Sequence, residues 1–185
     1  MAVTTLDAKT ALVVIDLQHG IVARPTAHPA KEVAKGRAPR LTHSAATARP
    51  RCASTLPVCG ARGTGSQRRR APSRTGRSRP GAEPASGSRT VTKRTWGAFT
   101  NTGLERHSRQ LGVTQVVIAG VATSIGVESS ARQAYELEFN LTLAVDAMTD
   151  IRPDTHLNSS TRTFPRLGET GTTRDIIDLL DKARA

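Results

Sequence analysis

This chain of 185 residues has few cysteines and few aromatic side chains, and it lacks long apolar runs. Its two cysteines, Cys52 and Cys59, have no second cysteine pair or paired histidines to complete a zinc site. No apolar run reaches the roughly 18 residues that a transmembrane helix requires, and Met1–Lys9 lacks a signal-peptide pattern. We therefore expect a cytoplasmic protein with no membrane partner, no metal and no cofactor.

The segment 36–90 lacks the hydrophobic side chains from which a folded core is built. Its only large aliphatic residues are Leu41, Leu56 and Val58. It contains twelve arginines, no lysine and one acid, so it carries +11 of the chain's net charge of +12. Such a composition does not offset the entropy of ordering the chain. We predict one domain over 1–185 in which 36–90 is disordered or out of frame.

Two explanations of this segment stay open. Two compensating frame changes, near residues 35 and 90, would leave both flanks in frame, because G/C-rich DNA read out of frame yields Arg, Ala, Pro, Gly, Ser and Thr. The alternative is a genuine disordered insertion. The arginines have no interleaved aromatic residues for base stacking. We therefore expect nonspecific adhesion to polyanions through this Arg-rich segment, with purposeful nucleic-acid binding as a further alternative.

Three apolar stretches in the flanks are typical of buried parallel strands: Ala11–Leu17, Gln115–Val121 and Asn140–Asp150. The first stretch has an acid, Asp16, at its end. The third has a polar end at Asp146, whose side chain is expected to cap or orient a loop. Val91–Phe99 supplies a shorter strand that leads to Lys93. Helices predicted between the strands make this an α/β protein with a parallel sheet.

The helices are predicted from capping and stop signals. Thr102 and Glu105 have capping-box spacing ahead of a helix whose apolar face carries Leu104 and Leu111 and which ends at Gly112. A second helix carries Val127, Ala131, Ala134 and Tyr135 at helical spacing. Pro153 precedes a helix over His156 to Phe164, and Thr172 with Asp175 caps a closing amphipathic helix.

The stretches ALVVIDLQHGIV, VTKRTWGAFTNTGLE, VVIAGVATSIGVESSARQAYE and NLTLAVDAMTD…FPRLGET, in this order, resemble the isochorismatase-like hydrolase family. The resemblance covers residues 10 to about 30 and 91–182. It implies a Rossmann-like three-layer α/β/α fold with strand order 3-2-1-4-5-6. The second strand falls in the Arg-rich segment, so we expect it to be missing or corrupted, which would leave Asp16 and Lys93 mispositioned.

The resemblance also implies the catalytic residues. Asp16 and Lys93 match the family's acid and its lysine, whereas Gly126 stands where many members have a nucleophilic cysteine. Without a thiol, the resemblance favours the branch that cleaves a vinyl ether with an acid and water. Asp16 would be the general acid or base, which requires a raised pKa, and Lys93 would oppose that rise.

Five residues are predicted to bind the small-molecule substrate. Trp96 and Phe99 are interpreted equally well as an apolar wall or as ordinary packing. Val121, Ala122 and Thr123 correspond to a family loop with a nonproline cis peptide at Val121–Ala122, and the backbone as far as Gly126 would hold an oxyanion or the substrate.

Other chemistry is disfavoured or left open. Ser124 is a poor substitute nucleophile because no histidine base is placed beside it by the sequence. The histidines His19, His28, His43, His107 and His156 show no metal-ligand spacing. A catalytically inactive or small-molecule-binding family member is the main alternative, and homo-oligomer formation is left open.

Overall fold

The computed structural model describes residues 2–17, 25–28, 33, 41, 53–56 and 91–183. The strands are β1 (Thr10–Ile15), β2 (Ala53–Leu56), β3 (Gln115–Val121), β4 (Asn140–Thr149) and β5 (Glu169–Gly171). The helices are α1 (Leu104–Gln110), α2 (Glu128–Glu136), α3 (Pro153–Asn158), α4 (Phe164–Leu167) and α5 (Thr173–Lys182). Two π-helical segments, Thr123–Val127 and Ser159–Thr163, precede α2 and α4.

The five strands form one parallel sheet in the order β2-β1-β3-β4-β5. The α/β prediction is confirmed, and β3 has the predicted bounds because it is buried along its whole length and apolar from Val116 onwards. The strand β4 continues past Asp146 to Thr149, and its pairing with β3 shifts register between Ile118 and Gly120. The two strands are paired on both sides of this irregularity, from Gln115 with Asn140 to Val121 with Thr149.

The second strand, which was expected to be missing or corrupted, is present as a short strand. A four-residue strand, β2, lies within the Arg-rich segment and pairs in parallel with β1, with Thr10 opposite Ala53. Among the described residues, the order follows the expected 3-2-1-4-5-6 from its second strand onwards. Leu41, from the same segment, is also buried against the sheet. The remainder of the predicted disordered or out-of-frame segment lies outside the described residues.

The predicted strand before Lys93 is wrong for the described residues, because Val91–Lys93 is irregular and the chain bends from Arg94 to Phe99. At the end of this stretch, two backbone N–H groups donate to side chains of α2. The Ala98 N–H donates to Ser130 Oγ at 3.0 Å, and the Phe99 N–H donates to Gln133 Oε1 at 3.0 Å. Buried backbone groups need partners, and these two bonds fix the loop against the helix.

Helices cover both faces of the sheet, as a three-layer fold requires. On one face, Leu104, Val127 and Phe164 from the helical segments pack with β1, β3 and β4. On the other face, Ile176 and Leu180 of α5 pack with these strands and with buried Leu41. Among the described residues, no helix is both long enough and apolar enough to cross a membrane.

The capping predictions had mixed outcomes. The box at α5 is confirmed, because the Asp175 N–H donates to Thr172 Oγ1 and the Thr172 N–H donates to the Asp175 carboxylate. The box predicted from Thr102 and Glu105 is wrong. Gly103, one residue later than predicted, is the N-cap of α1; the Thr102 hydroxyl accepts from the Leu104 N–H at 3.2 Å and donates to the Ala98 carbonyl.

Two further helix predictions can be compared directly with the structure. Gly112 follows the end of α1 with φ 70°, as predicted for a C-terminal stop. Leu111 is 38% exposed, so it does not share the buried face of Leu104. The helical region predicted from His156 begins at Pro153, where proline's missing N–H costs nothing, and continues through the π-helical segment into α4.

Candidate active site

Asp16 and Lys93 form a buried ion pair at the carboxyl end of β1. The Lys93 Nζ lies 2.6 Å from Asp16 Oδ2, and the two side chains are only 1% and 9% exposed. Asp16 follows the last residue of β1 in the left-handed region, with φ 50°, which is uncommon for a residue with a side chain. Nonglycine residues held in this region cluster at functional sites.

Because the structure brings Asp16 and Lys93 within 2.6 Å of each other, the expectation that these two residues are mispositioned is wrong.

The Asp16 carboxylate is held asymmetrically. Its Oδ2 contacts Lys93, whereas Oδ1 is buried and accepts no hydrogen bond from the described part of the chain. Burial raises the pKa of Asp16, and the hydrogen bond and charge of Lys93 oppose that rise. Desolvation has the larger effect, so the carboxyl is more readily protonated than an exposed aspartate.

Gly126 lies directly beside this pair. A Cβ built at Gly126 would lie 3.3 Å from Asp16 Oδ2, 3.1 Å from Ile15 Cγ2 and 3.5 Å from the Val121 carbonyl oxygen. The position where the resemblance puts the family's cysteine is thus within contact distance of the carboxylate. As glycine, it contributes no nucleophilic atom.

The loop after β3 has the predicted cis peptide between Val121 and Ala122. Several of its N–H groups already have partners. Those of Ile125 and Val127 both donate to the Ala122 carbonyl, and that of Ser124 donates to Asp150 Oδ2 at 2.6 Å. These three N–H groups cannot stabilise an oxyanion without first losing those bonds. Fewer backbone N–H groups of this loop are therefore available for the predicted binding of an oxyanion or substrate.

Two side chains that the sequence analysis did not assign to the site hold this loop. Asp150 is buried at the end of β4 and accepts hydrogen bonds from the N–H groups of Ser124 and Ile151. His156 Nδ1 lies 2.8 Å from the Thr123 hydroxyl, and its ring stands edge-on to His28 with centroids 5.1 Å apart. Burial and the charge of His28 lower the pKa of His156, while Asp150 opposes that shift.

The predicted aromatic wall separates into two different environments. Trp96 is 60% exposed, whereas Phe99 is buried in the core with its ring centroid 5.8 Å from that of Phe139. Phe99 therefore follows the packing interpretation. Within the described ranges, no three histidine, cysteine or acidic side chains are grouped as a metal site would require.

The α/β fold agrees with comparisons to known proteins. The family model for the isochorismatase domain matches residues 10–175. This chain belongs to the isochorismatase family of hydrolases, and the predicted resemblance is confirmed.

Individual relatives show how much of the chain is shared. An isochorismatase family protein from Burkholderia thailandensis has a structure with a TM-score of 0.73 and 32% identity, covering 96% of this chain and 98% of that one. The uncharacterized isochorismatase family protein YecD of Escherichia coli O157:H7 is 41% identical over 90 residues, which are 49% of this chain and 48% of YecD. The corresponding protein YwoC of Bacillus subtilis is 40% identical over 92 residues, 50% of this chain and 49% of YwoC. The chain thus spans about half the length of these two curated relatives.

Proposed function

We propose that this chain hydrolyses a small molecule without a thiol nucleophile, with Asp16 as general acid or base and Lys93 as its charge partner. The observation that carries the proposal is the asymmetric carboxylate. Lys93 occupies Oδ2 at 2.6 Å, whereas Oδ1 is buried and free of hydrogen bonds from the described residues. The unpaired oxygen is the one that can exchange a proton with a substrate.

The electrostatics of the pair suit an acid that acts once per turnover. Burial favours the protonated carboxyl, and Lys93 stabilises the carboxylate that remains after the proton has left. For a vinyl ether, the proton from Asp16 goes to the alkene carbon, water adds to the resulting oxocarbenium carbon, and the C–O bond then breaks. The water loses two protons along this path: one restores the acid, and the other goes to the oxygen that leaves when the C–O bond breaks.

The test is an isochorismate hydrolysis assay on the full chain. Replacing Asp16 by Asn is expected to lower kcat by at least about 100-fold, the usual contribution of a general acid. The matched control is Asp178→Asn, which makes the same change at a partly exposed carboxylate of α5. Alkylation of Cys52 and Cys59 should leave the rate unchanged. Full activity in Asp16→Asn, or loss of activity on alkylation, would contradict the proposal.

A catalytically inactive, small-molecule-binding protein is the second candidate, and Gly126 is the observation that favours it. The glycine lies 3.3 Å, measured from a built Cβ, from the Asp16 carboxylate but has no atom with which to attack a substrate. A Gly126→Cys variant that gains nicotinamide hydrolysis, with Gly126→Ala as the control, would indicate a site that lacks only its nucleophile. Binding of isochorismate without turnover by the natural chain would favour this candidate over the first.

The segment 36–90 is the subject of a separate proposal, that it is translated out of frame. Resequencing codons 30–95 and translating all three frames tests this directly. Another frame that encodes an apolar strand and an amphipathic helix is the expected result. A confirmed present frame, with no such pattern in the others, would identify a genuine insertion.

We further propose that the chain resides in the cytoplasm, that it can form homo-oligomers and that it adheres to polyanions. Light scattering after size-exclusion chromatography measures the oligomeric state, and fractionation of the producing cells measures residence. Retention on heparin should fall steeply with added salt if the arginines of segment 36–90 bind polyanions through charge alone. Sequence-specific retention on one duplex would instead favour the alternative of a nucleic-acid-binding protein.

A further inference from the structure

A cavity lies at the amino ends of the parallel strands, on the opposite edge of the sheet from the Asp16–Lys93 pair. Its lining includes Gln115, Asn140 and Glu169, the first residues of β3, β4 and β5. Its volume is about 570 Å³, within the range of small-molecule pockets. Because β1 spans six residues at about 3.3 Å each, roughly 20 Å separates this cavity from the proposed catalytic centre. We propose that the cavity binds a small organic cation, a primary ammonium attached to an apolar ring.

The charge of Glu138 selects a cation. Its carboxylate is exposed, has no hydrogen-bond or ion-pair partner in the described part of the chain, and shares the cavity with no basic side chain of that part. The other two acids of the lining are already engaged. Asp7 Oδ2 accepts from the Thr114 hydroxyl at 2.8 Å, and the Glu169 carboxylate accepts from the N–H and the hydroxyl of Thr4. Glu138 is therefore the carboxylate with which a protonated amine would form a charge-assisted hydrogen bond.

The end of helix α2 adds to the negative potential of the cavity. The helix ends at Glu136, and Glu138 follows with φ 59°, in the left-handed region, as the chain turns into β4. The carbonyl end of a helix carries a partial negative charge that favours cations. The guanidinium of Arg109 donates to the Leu137 carbonyl and lies 4.1 Å from the centroid of the Phe139 ring, but Arg109 does not line the cavity. It offsets part of the charge of the helix end and leaves Glu138 available.

The apolar part of the lining selects a ring. Tyr135, Leu141 and Leu167 supply this part. Tyr135 has the same helical spacing as buried Ala134 but is itself 50% exposed, so its ring is not used by the core. Aromatic rings pack favourably in offset or edge-to-face contact. A ligand ring packed on Tyr135 would cover this surface and leave the attached ammonium near Glu138, three residues further along the chain.

The floor of the cavity is hydrogen-bonded before a ligand arrives. The buried Gln115 carboxamide accepts from the Asp7 N–H at 2.6 Å and from the Thr10 hydroxyl at 2.8 Å, and it donates to the Thr142 hydroxyl at 3.0 Å. The Asn140 side chain donates to Asp7 Oδ2 at 2.9 Å. Side chains fixed in this way lose little further entropy when a ligand binds.

Fluorine NMR of para-fluorophenethylamine with the full chain tests the proposal. Saturable line broadening is expected, and Glu138→Gln should weaken binding about tenfold or more, the usual effect of losing a hydrogen bond to a charged group. Tyr135→Ala should also weaken it. The matched controls are Glu136→Gln and Leu157→Ala, which change an exposed carboxylate of the same helix end and an exposed apolar side chain, both outside the lining. Equal binding by the natural chain and Glu138→Gln would overturn the proposal.

Two analogues separate the contributions of charge and ring. The Arg-rich segment does not account for binding of a cation, because it carries +11 of the net charge and repels cations. The alcohol para-fluorophenethanol, which lacks the charge, and fluoroethylamine, which lacks the ring, should both bind more weakly than the amine. If either analogue binds as tightly as para-fluorophenethylamine, the proposed ligand class is wrong.

A fluorine label on the protein gives a measurement that depends on no variant. Tyr135 is the single tyrosine of the chain, so biosynthetic 3-fluorotyrosine places one fluorine at this cavity. Unlabelled phenethylamine should shift that signal over the same concentrations at which the fluorinated amine broadens. Broadening of the ligand line without a shift of the tyrosine signal would place the ligand elsewhere and refute the assignment.

Discussion

Replacing Lys93 by Met should destabilise the fold strongly, because it leaves the buried Asp16 carboxylate without its partner. The lysine is 1% exposed and lies 2.6 Å from the carboxylate. Removing one member of a buried pair costs about 3 to 5 kcal/mol, whereas replacing both members is often nearly neutral. At about 2 to 4 °C per kcal/mol for a chain of this size, the loss corresponds to a Tm lower by about 6 to 20 °C.

The pH dependence of the variant gives a sharper test than the loss itself. Without Lys93, the folded state keeps a proton on Asp16 above the ordinary pKa of aspartate, about 3.9, while the unfolded state releases it. The folded state then binds more protons, so stability falls as pH rises, by about 1.4 kcal/mol per unit for one proton. The natural chain, in which Lys93 opposes the rise in pKa, should show a smaller slope.

Urea unfolding at several pH values measures both quantities. The matched control is Lys182→Met, which removes an exposed ammonium from the end of α5 and should change stability by no more than about 0.5 kcal/mol. The double variant Asp16→Asn with Lys93→Met should recover most of the stability and lose the pH slope. A loss below about 1 kcal/mol in Lys93→Met, with no change of slope, would show that the pair is solvated and would refute the reasoning.

Three other perturbations test contacts around the site. Gly120→Ala should lower the free energy of unfolding in urea by more than about 3 kcal/mol, because at φ +126° its Cβ would lie 2.1 Å from a backbone oxygen of β1. The control is Gly103→Ala, whose Cβ would meet no atom within 4 Å, and an equal loss of stability in both variants would contradict the steric argument. Because the pKa of His156 is lowered in the folded state, the unfolded state binds more protons below about pH 6.5, and the free energy of unfolding should fall as pH falls. His156→Gln should flatten that dependence, and an unchanged slope would show that His156 does not cause it. Asp146→Ala should cost about 1 to 3 kcal/mol by thermal unfolding, since the Asp146 carboxylate accepts from both the N–H and the hydroxyl of Thr173; an unchanged Tm would exclude that cap.

The strands were the most predictable part of the fold. Gln115–Val121 is recovered residue for residue because a strand covered on both faces is apolar over almost its whole length, and that constraint is local to the sequence. The position of Asp16 followed from the same reasoning, since a polar residue at the end of a buried strand lies at the edge of the sheet where parallel α/β folds bind ligands. The proximity of Lys93 and Gly126 came from the family resemblance and not from spacing.

The contacts that shape the loops could not be predicted, because they join residues far apart in the sequence. The Ser124 N–H bonds to Asp150 across 26 positions, and Thr123 meets His156 across 33. The capping box predicted at Thr102 failed because α1 begins one residue later, with Gly103 as its N-cap. The Thr102 hydroxyl also donates to the Ala98 carbonyl, a partner in a loop that α2 holds through hydrogen bonds.

The placement of Lys93 explains how the site forms without the strand that was expected to carry it. A strand carrying Lys93 would have paired with the second strand, which falls in the Arg-rich segment. For that reason Lys93 was expected to be misplaced. Instead, the loop after Lys93 is fastened to α2 through Ser130 and Gln133, and α2 follows directly from the loop at the end of β3. Because β3 pairs with β1 along six residues, from Thr10 to Ile15, the same sheet positions Asp16 and, through α2, Lys93. The geometry of the pair therefore depends chiefly on the flanks of the chain, where the family resemblance lies, and a repaired or deleted Arg-rich segment should leave the 2.6 Å contact in place.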